Sequence, residues 1–116
     1  MPELVQVDKE IEPIRAIVDY EYIYKLVKDD KIIGYGAINK DRQNLIYIYI
    51  EEGFRENGYG KLLFSKMIEE AKRLGYKEVK VRFRYNNIQI LRIVEAVGGL
   101  HLSSNENIVN YLIPLK

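Results

Sequence analysis

Ile46-Tyr47-Ile48-Tyr49-Ile50-Glu51-Glu52-Gly53-Phe54-Arg55-Glu56-Asn57-Gly58-Tyr59-Gly60-Lys61 is the stretch on which the fold turns. It opens with β-branched and aromatic residues and passes through a glycine-punctuated turn. Leu63, Met67, Ala71 and Leu74 then recur at helical spacing, with Phe64 and Ile68 widening the stripe. The pattern predicts a strand over 45–50, a glycine turn, and a long amphipathic helix. Glycines in such a turn let backbone approach a ligand without interference from a Cβ atom. The unpaired N–H groups of the first helical turn favour an anion by about 0.3–1 kcal/mol per charge. A diphosphate suits that geometry, and Arg55 and Lys61 flank it.

Downstream, Gly75 is placed to cap the helix in the left-handed conformation. Val79, Val81, Phe83 and Tyr85 alternate with Lys80, Arg82 and Arg84, which predicts a strand over 78–85. Asn86 with Gln89 reads as a capping box that opens a short helix to about Val97. Gly98-Gly99 ends it, and 100–103 and 108–115 form a closing strand pair, with Pro114 putting the last strand's end at an edge. Upstream, 20–27 and 31–38 are strands joined at Asp29-Asp30, and the polar turn 39–44 leads into 45–50. The first twenty residues are less patterned, with short strands at 4–7 and 14–20. The resulting fold class is α/β (α+β): a mixed, mostly antiparallel sheet with a central β-α-β crossover and few helices.

The glycine turn is not one of two better-known phosphate loops. A Walker A loop has glycine where Arg55 stands and Ser or Thr where Leu62 stands. A dinucleotide fingerprint has glycine where Leu63 stands. Arg55-Glu56-Asn57-Gly58-Tyr59-Gly60 does fit R/Q-x-x-G-x-G/A, and Asn87 lies eleven residues before Gly98. With a strand before the turn, a long helix after it and a strand beyond, residues from about 20 to 116 resemble the GNAT superfamily of acetyl-CoA-dependent N-acyltransferases.

That resemblance implies a cofactor site. Backbone groups of Ile48 and Ile50 would pair with the pantetheine arm like an added strand. Amides of Arg55, Glu56, Asn57, Gly58, Tyr59, Gly60 and Lys61 would hold the diphosphate, and Asn87 would lie near the thioester. The strands at 45–50 and 78–85 would splay to admit the acetyl group. The implied activity is direct transfer of acetyl from acetyl-CoA to a primary amine, without a metal. The alternatives are an acyl-CoA-binding sensor or interaction domain with little catalysis, and an unrelated module whose glycine turn is structural. Asn86-Asn87 has a simpler role as a helix cap.

The catalytic groups are not assigned. A lysine-like amine with a pKa near 10.4 is neutral only about once in 2,500 at pH 7, so a base or water relay normally helps. The family's Tyr, seven residues after its Asn, corresponds to Val94, and an early strand Glu is replaced by Gln43-Asn44. Glu51, Glu52, Tyr49, Tyr85 and His101 remain as proton-transfer groups, each with a simpler reading as a solvated or packed residue. Family members usually carry two helices between the first two strands. Only about nineteen residues precede Tyr20 here, which predicts an open acceptor groove or one completed by another chain.

The rest of the composition narrows the classes. The 116 residues are 47% hydrophobic and 30% charged with a net charge of +1, an ordinary globular balance for one domain over 1–116. No global field points to nucleic acid or a membrane surface. The chain has no Cys and a single His, which excludes disulfides, thiol nucleophiles and multi-His metal sites. A start of MPELVQVDKE lacks a signal-like apolar run, and the expectation is a cytoplasmic protein. Finally, Tyr20, Tyr22 and Tyr24 are predicted to share one strand face, near Tyr35, Tyr47 and Tyr49 on neighbouring strands. Aromatic surface of that kind either lies under the N-terminal segment or is covered by a second copy in a homodimer.

Overall fold

The computed structural model describes residues 1–8 and 20–115. Among them a seven-stranded sheet runs in the order β1-β2-β3-β4-β5-β7-β6. Its strands are β1 (Glu3–Gln6), β2 (Tyr22–Lys28), β3 (Lys31–Asn39), β4 (Leu45–Ile50), β5 (Glu78–Arg84), β6 (Leu100–Ser104) and β7 (Ile108–Pro114). Helix α1 (Tyr59–Arg73) joins β4 to β5, and α2 (Ile88–Ala96) follows β5. Every neighbouring pair is antiparallel except β4 with β5, the crossover that the change of hydrophobic period predicts. The strand expected over 14–20 lies outside the described residues, except that Tyr20 sits in a bend.

Local chemistry sets the turns. Asp29 and Asp30 join β2 to β3 with φ of 52° and 62°, the pair of left-handed residues that a two-residue hairpin of the right twist requires. Gly75 takes φ 85° just past α1, and Gly98 takes φ 82° just past α2. Pro114 pairs only with Glu78 of β5, because β6 begins opposite Leu112, so its missing N–H leaves no ladder bond unmade.

Both helices pack on one sheet face. Leu63, Phe64, Met67, Ile68 and Ala71 of α1 and Val94 of α2 are buried against Leu26, Ile38, Ile46, Val79, Val81 and Ile113. Gly36 makes the close fit possible: a methyl group there would stand 2.6 Å from the Met67 sulfur. On the helix-free face a smaller cluster forms from Val7, Ile23 and Ala37 with Tyr20, Tyr35 and Tyr47 around them.

Two sequence expectations change here. The tyrosines do not share one face: Tyr22 and Tyr24 belong to the helix-side core, whereas the Tyr20 ring meets Tyr47 at 5.9 Å on the other side. Strand β2 begins only at Tyr22, so its two-residue alternation does not extend back to Tyr20. The face on which the sequence predicts a homodimer therefore lacks Tyr22 and Tyr24. Tyr85 does not pack in the sheet either; it lies past the end of β5 and is 58% exposed.

Candidate functional site

Strands β4 and β5 are paired at only two positions, Leu45 with Lys80 and Ile46 with Val81. Beyond them the strands part, as the resemblance implies, and a cleft of about 610 Å³ opens. Its walls are Ile46, Ile48 and Ile50 of β4, Val81 to Arg84 of β5, Gly60 and Phe64 of α1, and Asn86, Asn87 and Ile90 at the start of α2. The Lys80 N–H donates to the Asn44 carbonyl at 3.4 Å, which fixes the phase: even-numbered residues of β4 turn their backbone groups toward β5. With the ladder ended at Ile46, Ile48 presents an N–H and a C=O to the gap. Ile50 presents its N–H, but its carbonyl accepts a hydrogen bond from Arg55 Nε at 2.9 Å.

At the far end of β4 the chain makes a single 3-10 turn over Glu52–Phe54 and enters α1 at Gly58. Gly58 has φ 81° and ψ 2°, a conformation that costs a residue with a Cβ about 1–2 kcal/mol. No side chain caps this N-terminus and no acid occupies its first turn. Leu62 is where backbone pairing of the helix begins, its N–H donating to the Gly58 carbonyl at 3.1 Å. The amides of Tyr59, Gly60 and Lys61 are the orphan donors of a helix start. Nothing stands within 4 Å of a Cβ built on Gly58, and one on Gly60 would touch only Ile50, at 3.9 Å. Asn57 braces the turn through its side-chain amide, which donates to the Arg55 carbonyl at 3.0 Å. Glu56 takes φ 64°.

Arg55 itself turns back toward the sheet. Its guanidinium carbon lies 5.4 Å from the centre of the Tyr49 ring, on the helix-free side, rather than over the α1 amides. Lys61 is exposed and lines a second groove of about 510 Å³ between the helices, together with Arg92.

Asn87 lines the cleft and also caps α2, its Oδ1 accepting the Ile90 N–H at 3.3 Å. The cap is thus Asn87, not the Asn86 that the Asn86–Gln89 spacing predicts. Asn86 is drawn into the turn that ends β5, where the Asn87 N–H bonds the Arg84 carbonyl at 2.9 Å. Val94 is fully buried, and the backbone of Gly99 crosses so near that a Cβ there would meet Val94 Cγ1 at 2.4 Å. The His101 ring is exposed on β6, edge-on to Tyr111 at 5.3 Å, and Tyr111 stacks on Phe83 at 5.7 Å. Burial, with Tyr20 and then Tyr49 nearby, holds the Tyr47 hydroxyl above its ordinary pKa.

Phe64, Ile90, Arg82 and Arg84 also line the cleft, and no local sequence pattern marks them as site residues. The alternation 79–85 places the two arginines on one strand face, but only the parting of the strands makes that face a wall. Among the described residues no group of His, Asp or Glu is arranged to hold a metal ion, and no helix is long and apolar enough to cross a membrane.

Comparison with known proteins bears on this geometry. The family model described as the acetyltransferase (GNAT) family matches residues 3–98. No curated protein matches the chain by sequence. Among solved structures, a Bacillus subtilis acetyltransferase in complex with CoA superposes with a TM-score of 0.74 at 18% identity, covering 100% of each chain. The ribosomal-protein-S18-alanine N-acetyltransferase of Escherichia coli gives 0.75 at 12% identity, covering 100% of this chain and 95% of its own. An Elizabethkingia anophelis acetyltransferase with acetyl-CoA bound gives 0.70 at 15% identity over 98% of each chain. At such identities the likeness is one of fold.

Proposed function

The chain belongs to the acetyltransferase (GNAT) family, and on that premise we propose that it moves an acetyl group from acetyl-CoA to a primary amine by direct attack. The observation that carries this is the parting of β4 from β5 beside an uncapped helix start. One ligand with an extended amide-bearing arm and a diphosphate fits both parts. Two of the three structures compared above contain CoA or acetyl-CoA, which supports the same ligand here.

In this reading Ile48 and the Ile50 N–H bond the pantetheine amides as a missing strand would. The turn Arg55-Glu56-Asn57-Gly58-Tyr59-Gly60-Lys61 receives the diphosphate, with Gly58 leaving room for it and the Tyr59, Gly60 and Lys61 amides donating. Asn87 acts mainly by capping α2, which fixes the cleft wall next to Ile90. Apolar Ile46, Ile48, Phe64, Val81 and Phe83 keep water from the thioester.

The acetyl donor supplies an activated carbonyl; the chain supplies position. Holding an amine against that carbonyl in a fixed orientation can account for about 7–11 kcal/mol of barrier reduction. Val94 offers no proton to the departing sulfur. A thiolate is a stable leaving group, so it departs without a dedicated acid, and the proton given up by the attacking amine passes to solvent water. Use of acetyl-CoA and a chain without cysteine suit a cytoplasmic setting.

The test is thermal unfolding with acetyl-CoA, CoA and ATP, repeated on Gly58→Arg. A ligand at 100 times its dissociation constant adds about 2.7 kcal/mol, a plainly visible shift. The expected result is a rise with acetyl-CoA and CoA, none with ATP, and its loss in Gly58→Arg. No rise at millimolar acetyl-CoA would overturn the reading. Release of free CoA thiol with amine acceptors then separates an active enzyme from a domain that only binds.

A further inference from the structure

The charged residues in the cleft wall are of one sign. Arg82 and Arg84 line it, and the acids at the ends of these strands, Glu51 and Glu78, do not. Arg82 and Arg84 alternate with buried Val81 and Phe83, so both stand on the face opposite the helices. Continuing the β4–β5 register past Ile46 and Val81 would set Tyr47 beside Arg82 and Tyr49 beside Arg84. The parting of the strands instead opens a gap, with tyrosines on one bank and arginines on the other. Arg55 lies over the Tyr49 ring at the same bank.

Arg82 is also held in place without being neutralised. Arg82 Nε donates to Asn110 Oδ1 at 3.1 Å, and Asn110 Nδ2 donates to Ser103 Oγ at 3.3 Å, a chain that spans β5, β7 and β6. That bond anchors the Arg82 guanidinium on the β7 side, and among the described residues nothing bonds its terminal nitrogens. Among the described residues no carboxylate pairs with Arg55, Arg82 or Arg84. Arginine forks of this kind match planar oxyanions, and an amine ligand with extra positive charge would be repelled.

We propose that Arg82 and Arg84 recognise the acceptor, and that the acceptor is a small molecule carrying an oxyanion, carboxylate or phosphoryl, near its primary amine. The proposal rests on the acetyl-transfer reading, since it assigns the helix-free mouth of the cleft to the acceptor and the helix-side part to acetyl-CoA. Residues two apart on a strand are about 6.6 Å apart, so the two arginines span one such group and hold its amine toward the gap.

The experiment measures CoA thiol release with amino acids, aminoalkylphosphonates, the matched carboxamides and spermidine, on wild type and on the Arg82→Gln/Arg84→Gln variant. Acetyl-CoA-dependent thermal shifts are recorded on the same samples. The expected result is a kcat/KM for anionic acceptors about tenfold or more above their carboxamides, the effect of one charge-assisted hydrogen bond. The preference should vanish in the variant while its acetyl-CoA shift persists. Carboxylate against phosphonate identifies the oxyanion. As a readout without turnover, the N-acetylated acidic products should bind wild type more tightly than the N-acetylated carboxamides by calorimetry, and equally to the variant. Acetyl-CoA binding with carboxamides or spermidine used as well as the acids, or with no acidic acceptor used, overturns this inference and leaves the cofactor reading standing. Absence of acetyl-CoA binding in wild type overturns both.

Discussion

Gly34 lies so close to Tyr49 that a methyl group on its Cα would stand 2.3 Å from the Tyr49 carbonyl oxygen. The contact is with backbone of β4, the strand that forms one bank of the cleft, and it cannot be relieved by a rotamer. Gly36, two residues on, faces the Met67 side chain instead. Gly34→Ala should therefore destabilise at the upper end of the about 1–3 kcal/mol typical of overpacking, and Gly36→Ala near the lower end because a thioether adapts. Urea midpoints of the two variants check the order; equal losses would count against the difference drawn between backbone and side-chain contact.

Asn87 and Asn86 are neighbours with different expected costs. Asn87→Ala removes the bond to the Ile90 N–H and should cost about 1 kcal/mol. Asn86→Ala, with no cap to lose, should change stability little. Denaturant unfolding of both decides which asparagine begins α2.

Gly58 and Gly75 separate strain from binding. Both take φ above 80°, and neither has a heavy atom within 4 Å of a built Cβ. Alanine at either should cost about 1–2 kcal/mol of stability. Only Gly58→Ala should also weaken acetyl-CoA binding, and Gly58→Arg should abolish it, in thermal-shift titrations at fixed ligand.

Alkaline stability should carry the mark of Tyr76. Burial, and then the Tyr22 hydroxyl, push its pKa up to about 12, against an ordinary 10.0. Its ring meets Tyr22 at 6.4 Å. A pKa raised on folding means the unfolded chain releases this proton first. The contribution is full below pH 10 and is lost as pH rises toward about 12. Tyr76→Phe should flatten the fall in stability over that window relative to wild type, measured by urea unfolding at pH 9 to 12. Parallel curves would rule the tyrosine out as a cause.

Much of the fold is legible in local pattern. Alternation in 78–85, the stripe Leu63, Met67 and Ala71, and the glycines after each helix fixed the elements to within a residue or two. These are short-range effects: strand pleat, helical period and positive φ act within a few residues, so composition at those positions specifies them. The cap of α2 lies one residue beyond the position that the Asn86–Gln89 spacing predicts, because two adjacent asparagines are locally equivalent. What distinguishes them is the Asn87 N–H bond to Arg84 at the end of β5.

The sequence by itself determined the order of strands and helices, the parallel crossover, and the glycine turn with its free amides. Tertiary structure alone decided how far β4 and β5 stay paired before they part, that Tyr22 and Tyr24 face the helices while Tyr20 does not, and that Arg82 and Arg84 form a wall without acids. The physical reason is one of range. Periodicity tells which residues of one strand share a face, but the spacing between strands far apart in sequence is set by how α1 and α2 pack across them. A cleft between two such strands exists only once that packing is made.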